Sequence, residues 1–300
     1  MAADGTAWFC WSQHHPLVRA ISGALPYAGE YAAHLVALRE DLVRGRTVAS
    51  VSFSHLRRPG PPAVTARRHP DGWILQGRVD WITAWDICDV VLLMAESDGE
   101  FVSFVLDATP QPGLCIEPPL DLMAMSGSHT RPIAFDGLVI PHHRLVGRQP
   151  AGAWHTIDEQ ITIQPNPAAF GLARGALGAL ASAGQERSCQ ETIDVAYALA
   201  EEVRALRSRT YAAVDDGADR AYLLDLRAQG LALAARTAAA AITGGGGRSM
   251  VRGSDSERRY REAAFLLVQR QTALTRAASL DAWLSRGPMP HGVQPAHSRG

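Results

Sequence analysis

Asp71-Gly72-Trp73-Ile74-Leu75-Gln76-Gly77-Arg78-Val79-Asp80-Trp81-Ile82-Thr83 and Ser126-Gly127-Ser128-His129-Thr130-Arg131-Pro132-Ile133-Ala134-Phe135-Asp136-Gly137-Leu138-Val139-Ile140-Pro141 decide how this chain is read. Both carry short runs of β-branched and aromatic residues bounded by Gly, Pro and Asp, the composition of strands and their turns. Strands are predicted over 73–76, 131–135 and 137–140. Upstream, Ala49, Val51 and Phe53 alternate with Ser50, Ser52 and Ser54, the period-two pattern of a half-buried strand. Further strands are expected over 89–95, 101–107 and 114–117. Pro70-Asp71-Gly72, Ser97-Asp98-Gly99 and Pro110-Gln111-Pro112-Gly113 supply turns between them. Many short strands at this spacing imply a small barrel or sandwich.

Helical patterns flank this region. Trp8, Trp11, His15, Leu17, Val18 and Ile21 recur at helical spacing, and Gly23, Pro26 and Gly29 break the run. Tyr31, Leu35, Leu38 and Leu42 mark a second amphipathic helix that Gly45 closes. Beyond Gly147, helices are predicted over 170–190, 192–214, 220–242 and 256–284, with Asp215-Asp216-Gly217 and Gly244-Gly245-Gly246-Gly247 as breaks. Four helices on short links imply an antiparallel bundle. Residues 286–300, rich in Pro, Gly and His, are expected to be an unstructured tail.

Bulk composition narrows the function classes. With 300 residues and 47% apolar content, the chain can bury one large core or two modest ones. A net charge of −1 marks no nucleic-acid or membrane-surface binder. All 29 basic residues are Arg, which excludes a Schiff-base or P-loop lysine. Cys10, Cys88, Cys115 and Cys189 are scattered, as in a reducing compartment, and are expected to be small buried side chains. No apolar run spans a bilayer and no secretory leader opens the sequence, so a soluble, cytoplasmic protein is the expectation. Adjacent pairs His14-His15 and His142-His143 point to different sides of their elements and do not suggest a metal site. G-x-S-x-G, H-E-x-x-H, Walker and Rossmann fingerprints are absent.

The two quoted blocks resemble the middle β-domain of the acyl-CoA dehydrogenase family, and the order helices, strands, bundle extends that resemblance over residues 8–283. It implies an α+β fold: truncated N-terminal helices (1–47), a small middle β-barrel (48–150) and a C-terminal four-helix bundle (151–285). Met1 falls near the start of the family's fourth helix, so either the N-terminal domain is shortened or the start lies upstream. The resemblance implies a flavin, FAD or FMN, an acyl thioester or other small-molecule substrate, and a homo-oligomer or a hetero-oligomer with a related subunit. Trp81 and Thr83 of Trp81-Ile82-Thr83 match residues beside the flavin ring, where a fixed donor near N5 tunes hydride chemistry. Read without the resemblance, the same tripeptide is a strand with an aromatic and a β-branched residue.

Further positions follow from the same resemblance. Ser52 or Ser54 matches a contact to the ring's pyrimidine edge. Arg57-Arg58-Pro59-Gly60-Pro61-Pro62 replaces a Gly-rich loop that touches the thioester, and its arginines suit a phosphate or carboxylate or a solvated loop equally. Arg187 matches an arginine reaching a partner's cofactor pyrophosphate, and it also reads as a plain helix-end cation. Gly245 and Gly246 match a turn against the adenosine end, or a flexible linker. Thr272 matches a phosphate contact. Phe135, Val139 and Pro141 read as structural, and His129 as a satisfied surface histidine. The family's catalytic Glu falls on Arg270, which accepts no proton, and a second family position for that Glu falls near Ile161, with Asp158 and Glu159 close by. Glu159 and Glu262 are the substitute bases the sequence offers. Three functions compete: an acyl-CoA dehydrogenase-like oxidoreductase acting on a CH–CH group, a flavin monooxygenase of the same fold, and a non-catalytic paralogue or partner subunit.

Overall fold

The computed structural model describes residues 1–284. Three short helices open it: α1 (Gly5–Ser12), α2 (His15–Ala24) and α3 (Ala32–Val43). The first pattern, expected as one helix, is two, broken at Gln13 and His14. His14 Nδ1 accepts from Ala49 N at 3.0 Å and Nε2 donates to Leu42 O at 3.1 Å, tying helix to strand. The strands follow as β1 (Ala49–Ser52), β2 (Val64–His69), β3 (Gly72–Ile82), β4 (Val90–Ser97), β5 (Glu100–Asp107), β6 (Leu114–Ile116), β7 (Arg131–Pro141) and β8 (Leu145–Pro150). The expected strands at 131–135 and 137–140 are one strand with a bulge opposite Leu75 and Gln76. β2 and β8 escape the sequence pattern because both are half polar, and β8 is also an edge strand.

The expected barrel does not close. The strands form one sheet in the order β6-β7-β3-β2-β4-β5-β8, with β1 beside β4, and β6 and β8 do not pair. The sheet nonetheless curls strongly. Three steps of about 4.8 Å separate β3 from β5 in a flat sheet, yet the rings of Trp73 on β3 and Phe104 on β5 lie 5.6 Å apart. The enclosed face buries Leu75, Val79, Leu93, Phe104, Ile133 and Phe135. The opposite face of β1 and β4 packs Val51, Val90 and Leu92 against Leu17, Ile21, Leu35 and Leu42 of α2 and α3.

The glycines of the first quoted block are a packing requirement. Gly77 has φ +126°, and a Cβ there would stand 2.1 Å from Ala63 O; at Gly72 it would stand 2.0 Å from Ile140 O. Neither contact is physically possible, so the backbones of neighbouring strands approach only because no side chain intervenes.

Helices resume with α4 (Ala151–Thr162), α5 (Pro167–Glu186), α6 (Gln190–Asp215), α7 (Arg220–Gly245), α8 (Asp255–Val268) and α9 (Ala273–Leu284). One core joins α5 to α8 through Leu172, Leu177, Leu180, Leu206, Leu226, Ala238 and Leu266, the expected four-helix bundle. The expected single helix over 256–284 is two, because Arg270 takes φ +56° and turns the chain. The glycine run does not act as a flexible linker: Gly244 and Gly245 lie inside α7, where a Cβ would meet Leu180 Cδ1 at 2.4 Å and Ser249 Oγ at 2.0 Å. Of the cysteines only Cys88 is buried, its thiol pushed up to about 12 by burial, while Cys115 is exposed. The expected tail over 286–300 lies outside the described residues. Among the described residues no helix is long and apolar enough to cross a membrane.

Candidate functional site

Serines and threonines gather where β1 meets the end of β3. Ser50 and Ser52 lie opposite Val91 and Leu93, so both face inward. Ser50 Oγ donates to Thr83 O at 2.5 Å. Thr83 is buried, its Oγ1 3.5 Å from Thr130 Oγ1, which in turn lies 2.8 Å from Ser128 Oγ. Ser52 Oγ is buried without a hydrogen-bond partner, and such a group is costly unless something else satisfies it. Ser54 lies past the strand and is exposed. Trp81 is 46% exposed on the outer side of β3. The second block supplies the turn that holds Thr83: Ala84 N donates to Ser128 O at 2.7 Å and Trp85 N to His129 O at 3.2 Å. His129 itself is exposed and bonds Asp86 at 3.1 Å.

Immediately after β1 the chain makes a short 3-10 turn over Ser54–Arg57. His55 is buried there, Nε2 bonded to Met94 O at 2.9 Å and Nδ1 unpartnered. Burial holds this imidazole at about 4, neutral at physiological pH. The sequence reading did not single it out, and a lone His in an alternating stretch offers little signal. Arg57 forks onto Asp158 of α4, with Nη2 to Oδ1 at 2.6 Å and Nε to Oδ2 at 2.7 Å, while Phe53 packs on Trp154 one helical turn earlier. This pair joins the sheet to the helical part of the molecule.

The positions where the resemblance places a base lie against one another. Arg270 Nη2 donates to Ile161 O at 2.9 Å. Ile161 is on α4, not on the helix containing Gly171. Arg227 of α7 reaches the same corner, donating to Gln164 O at 3.0 Å and Gln269 O at 3.3 Å. Burial, then the charges of Arg270 and Arg57, lower Arg227 to about 10; burial and Arg57 lower Arg270 as well. Both stay cationic near neutrality.

The carboxylates offered as substitute bases are committed elsewhere. Glu262 is buried and accepts from Gly5 N at 2.9 Å, Arg258 at 3.2 Å and Arg259 at 3.3 Å, which pins α1 to α8. Glu159 pairs with Arg220. Asp158 is the carboxylate at the Arg270 corner, and Arg57 holds it. Thr272 and Thr275 cap α9 reciprocally: Thr272 N donates to Thr275 Oγ1 at 2.8 Å and Thr275 N to Thr272 Oγ1 at 3.2 Å. At the other end of the bundle Arg187 donates to Gly245 O, and a Cβ on Gly246 would come 2.9 Å from its guanidinium. The structure therefore ties Thr83 to Ser50 and leaves the Ser52 hydroxyl buried without a partner, brings Arg187, Gly245 and Gly246 together, and leaves Trp81 and Ser54 on the surface.

No protein-family model matches the chain. A short-chain specific acyl-CoA dehydrogenase of Bos taurus is 32% identical over 138 residues, 43% of this chain and 33% of that protein. The match thus spans about a third of that relative's length. Among solved structures, butyryl-CoA dehydrogenase from Megasphaera elsdenii superposes with a TM-score of 0.62 at 18% identity, covering 84% of this chain and 72% of that one. A glutaryl-CoA dehydrogenase from Mycobacterium smegmatis, in complex with FADH2, gives 0.63 at 18%, covering 85% and 70%. This chain resembles the acyl-CoA dehydrogenase family in sequence and has that family's fold.

Proposed function

We propose that the chain is a flavin-dependent oxidoreductase of the acyl-CoA dehydrogenase type. The observation that carries this reading is the 32% identity to a short-chain acyl-CoA dehydrogenase, joined to a fold match over 84–88% of the chain. Local geometry supports it: the two positions matched to a catalytic base, distant in sequence, are in contact here through Arg270 and Ile161.

The residues present fit a flavin at the ring edge. Ser52 offers a buried, unpartnered hydroxyl two residues from Ser50, which bonds Thr83 O, and Trp81 offers an open indole face. Arg187, Gly245 and Gly246 would meet a cofactor's phosphate and adenosine end, although Arg187 now serves Gly245 O and the Thr272 hydroxyl serves the α9 cap. FAD is the cofactor proposed, with FMN as the alternative. When bound, a flavin supplies the hydride acceptor or donor. This chain's own share is to bind and orient the ring and to shield it from water.

Proton removal is the weak step for a dehydrogenase acting on an acyl thioester. Arg270 accepts no proton, Glu262 and Glu159 are paired at other tasks, and both oxygens of Asp158 are engaged by Arg57. That observation favours a second reading, a flavin monooxygenase of the same fold, which needs no carboxylate there. A non-catalytic subunit is the third. The proposed assembly is a homo-oligomer or a pairing with a related subunit.

The purified protein decides among these by its visible spectrum. Flavin bands support the first two readings; no affinity for FAD or FMN leaves the third. Bleaching by acyl-CoA without oxygen selects the dehydrogenase, and oxygen consumption with reduced flavin selects the monooxygenase. Trp81→Ala and Thr83→Ala are expected to lower flavin retention, and unchanged retention in both would remove the assignment.

A further inference from the structure

We propose that Arg57, Arg227 and Arg270 form a binding site for a small oxyanion, a carboxylate or a phosphoryl group, at the C-terminal end of α4. Three elements far apart in sequence send guanidinium groups to this one corner. Arg57, from the turn after β1, forks onto Asp158. Arg270, at the junction of α8 and α9, reaches Ile161 O, and Arg227, from the middle of α7, reaches Gln164 O and Gln269 O. Asp158 and Ile161 sit on the last turns of α4, and Gln164 lies two residues past its end.

The charges do not balance. Among the described residues these guanidinium groups face a single carboxylate, Asp158, and neither Arg227 nor Arg270 has an acidic partner. Arg227 is only 2% exposed and its Nε has no acceptor. A buried cation without a counter-charge is expensive. The helix-end carbonyls offset part of this: a helix C-terminus carries about half a negative charge. The ends of α4 and α8 together supply about one full negative charge, and with Asp158 this still leaves a surplus against three guanidinium groups. Exposed Arg19 of α2 adds to the field at Arg270.

An oxyanion would remove the surplus. Arg227 is buried, Arg57 and Arg270 are half-buried, and Arg270 keeps Nε and Nη1 without protein acceptors among the described residues. Planar forks of this kind match carboxylate and phosphate oxygens. The site stands on its own residues and does not depend on the flavin reading.

The test measures binding to the purified chain by calorimetry, with sodium phosphate and sodium glutarate as probes and sodium chloride at matched ionic strength as reference. One of the two oxyanions is expected to bind measurably more tightly than chloride, and which one does identifies the chemical source. Competition by FMN but not by riboflavin would assign the phosphate of a cofactor. Arg270→Gln should weaken binding about tenfold, the worth of one charge-assisted hydrogen bond, and Asp158→Asn should strengthen it. Arg57→Gln provides the same reading if Arg270→Gln fails to fold. Arg204→Gln, on the exposed face of α6, should change nothing. The proposal is overturned if neither oxyanion exceeds chloride, or if Arg204→Gln weakens binding as much as the site variants. Oxyanion binding by a protein that retains no flavin would leave this site intact while removing the flavin reading.

Discussion

Glu262 separates a structural carboxylate from a catalytic one, and Glu262→Gln measures which it is. The side chain is 3% exposed and takes donors from Gly5 N, Arg258 and Arg259. Arg259, itself 4% exposed, spends its other donors on Met1 O and Ala3 O, both at 3.0 Å. The amide keeps the shape and removes the charge, which leaves a buried cation under-compensated. Breaking such a pair costs about 3–5 kcal/mol. Asp255 Oδ1 stays 3.4 Å from Arg259 Nε and softens the loss, so the low end, about 3 kcal/mol, is expected. At roughly 2–4 °C per kcal/mol this lowers the melting temperature by roughly 10 °C. Thermal and urea unfolding read it directly. Glu201→Gln, in an exposed pair with Arg204, serves as the control and should cost under about 1 kcal/mol. A Glu262→Gln protein as stable as its parent but devoid of turnover would refute the structural role and return Glu262 as the base.

Gly77→Ala should cost at least about 3 kcal/mol, since it combines a backbone angle that L-residues avoid with a 2.1 Å contact to Ala63 O; urea unfolding checks it, and a loss below about 1 kcal/mol would mean that β2 and β3 are not this close. His55 makes stability depend on pH. Its folded value near 4 lies below the ordinary 6.5, so the unfolded chain binds more protons between those values and stability rises with pH across that window. Roughly 3 kcal/mol is present above pH 6.5 and lost as pH falls through 4; His55→Gln should flatten that slope, and an unchanged slope would locate the titration elsewhere. Ser52→Ala should be near neutral or stabilising without cofactor, because it deletes an unpartnered hydroxyl, and it should weaken flavin retention; clear destabilisation of the apoprotein would show that the hydroxyl already has a partner.

The strands were legible wherever alternation or β-branched runs met strong turn chemistry, as in β4 and β5 around Ser97-Asp98-Gly99. β2 was hidden because Arg67, Arg68 and His69 break its pattern, although its first half is buried. The break in the last helix was hidden for a different reason. Nothing in Gln269-Arg270-Gln271-Thr272 signals a left-handed residue, because Arg normally avoids that conformation. What stabilises it is tertiary: Arg270 bonds Ile161 O, Arg227 bonds Gln269 O, and Asn166 Nδ2 donates to Gln269 Oε1 at 3.2 Å. Ser52, Thr83 and Arg270 were legible as candidates through resemblance to a motif. His55 and Arg227 were not, since no local pattern distinguishes an arginine inside an Ala-rich helix from a solvated one.

Arg227 also bears on what the Arg270 corner can do chemically. A buried arginine that binds two helix-end carbonyls needs both ends in place, so it couples the α4 terminus to the α8–α9 junction. With Arg270 it forms a double clasp over the positions matched to a base. Placing a carboxylate there, as in Arg270→Glu, would set an acid beside Arg227 and Arg57. The expected product is a tight ion pair with a low carboxylate pKa, hence a weak base. Pairing Arg270→Glu with Arg57→Gln removes one of the two cations and should raise the new carboxylate's pKa relative to the single variant. A pH titration of flavin reduction by acyl-CoA in the two variants compares them. Equal activity in both would mean that Arg57 does not reach the Arg270 corner and that the charge argument for this site is wrong.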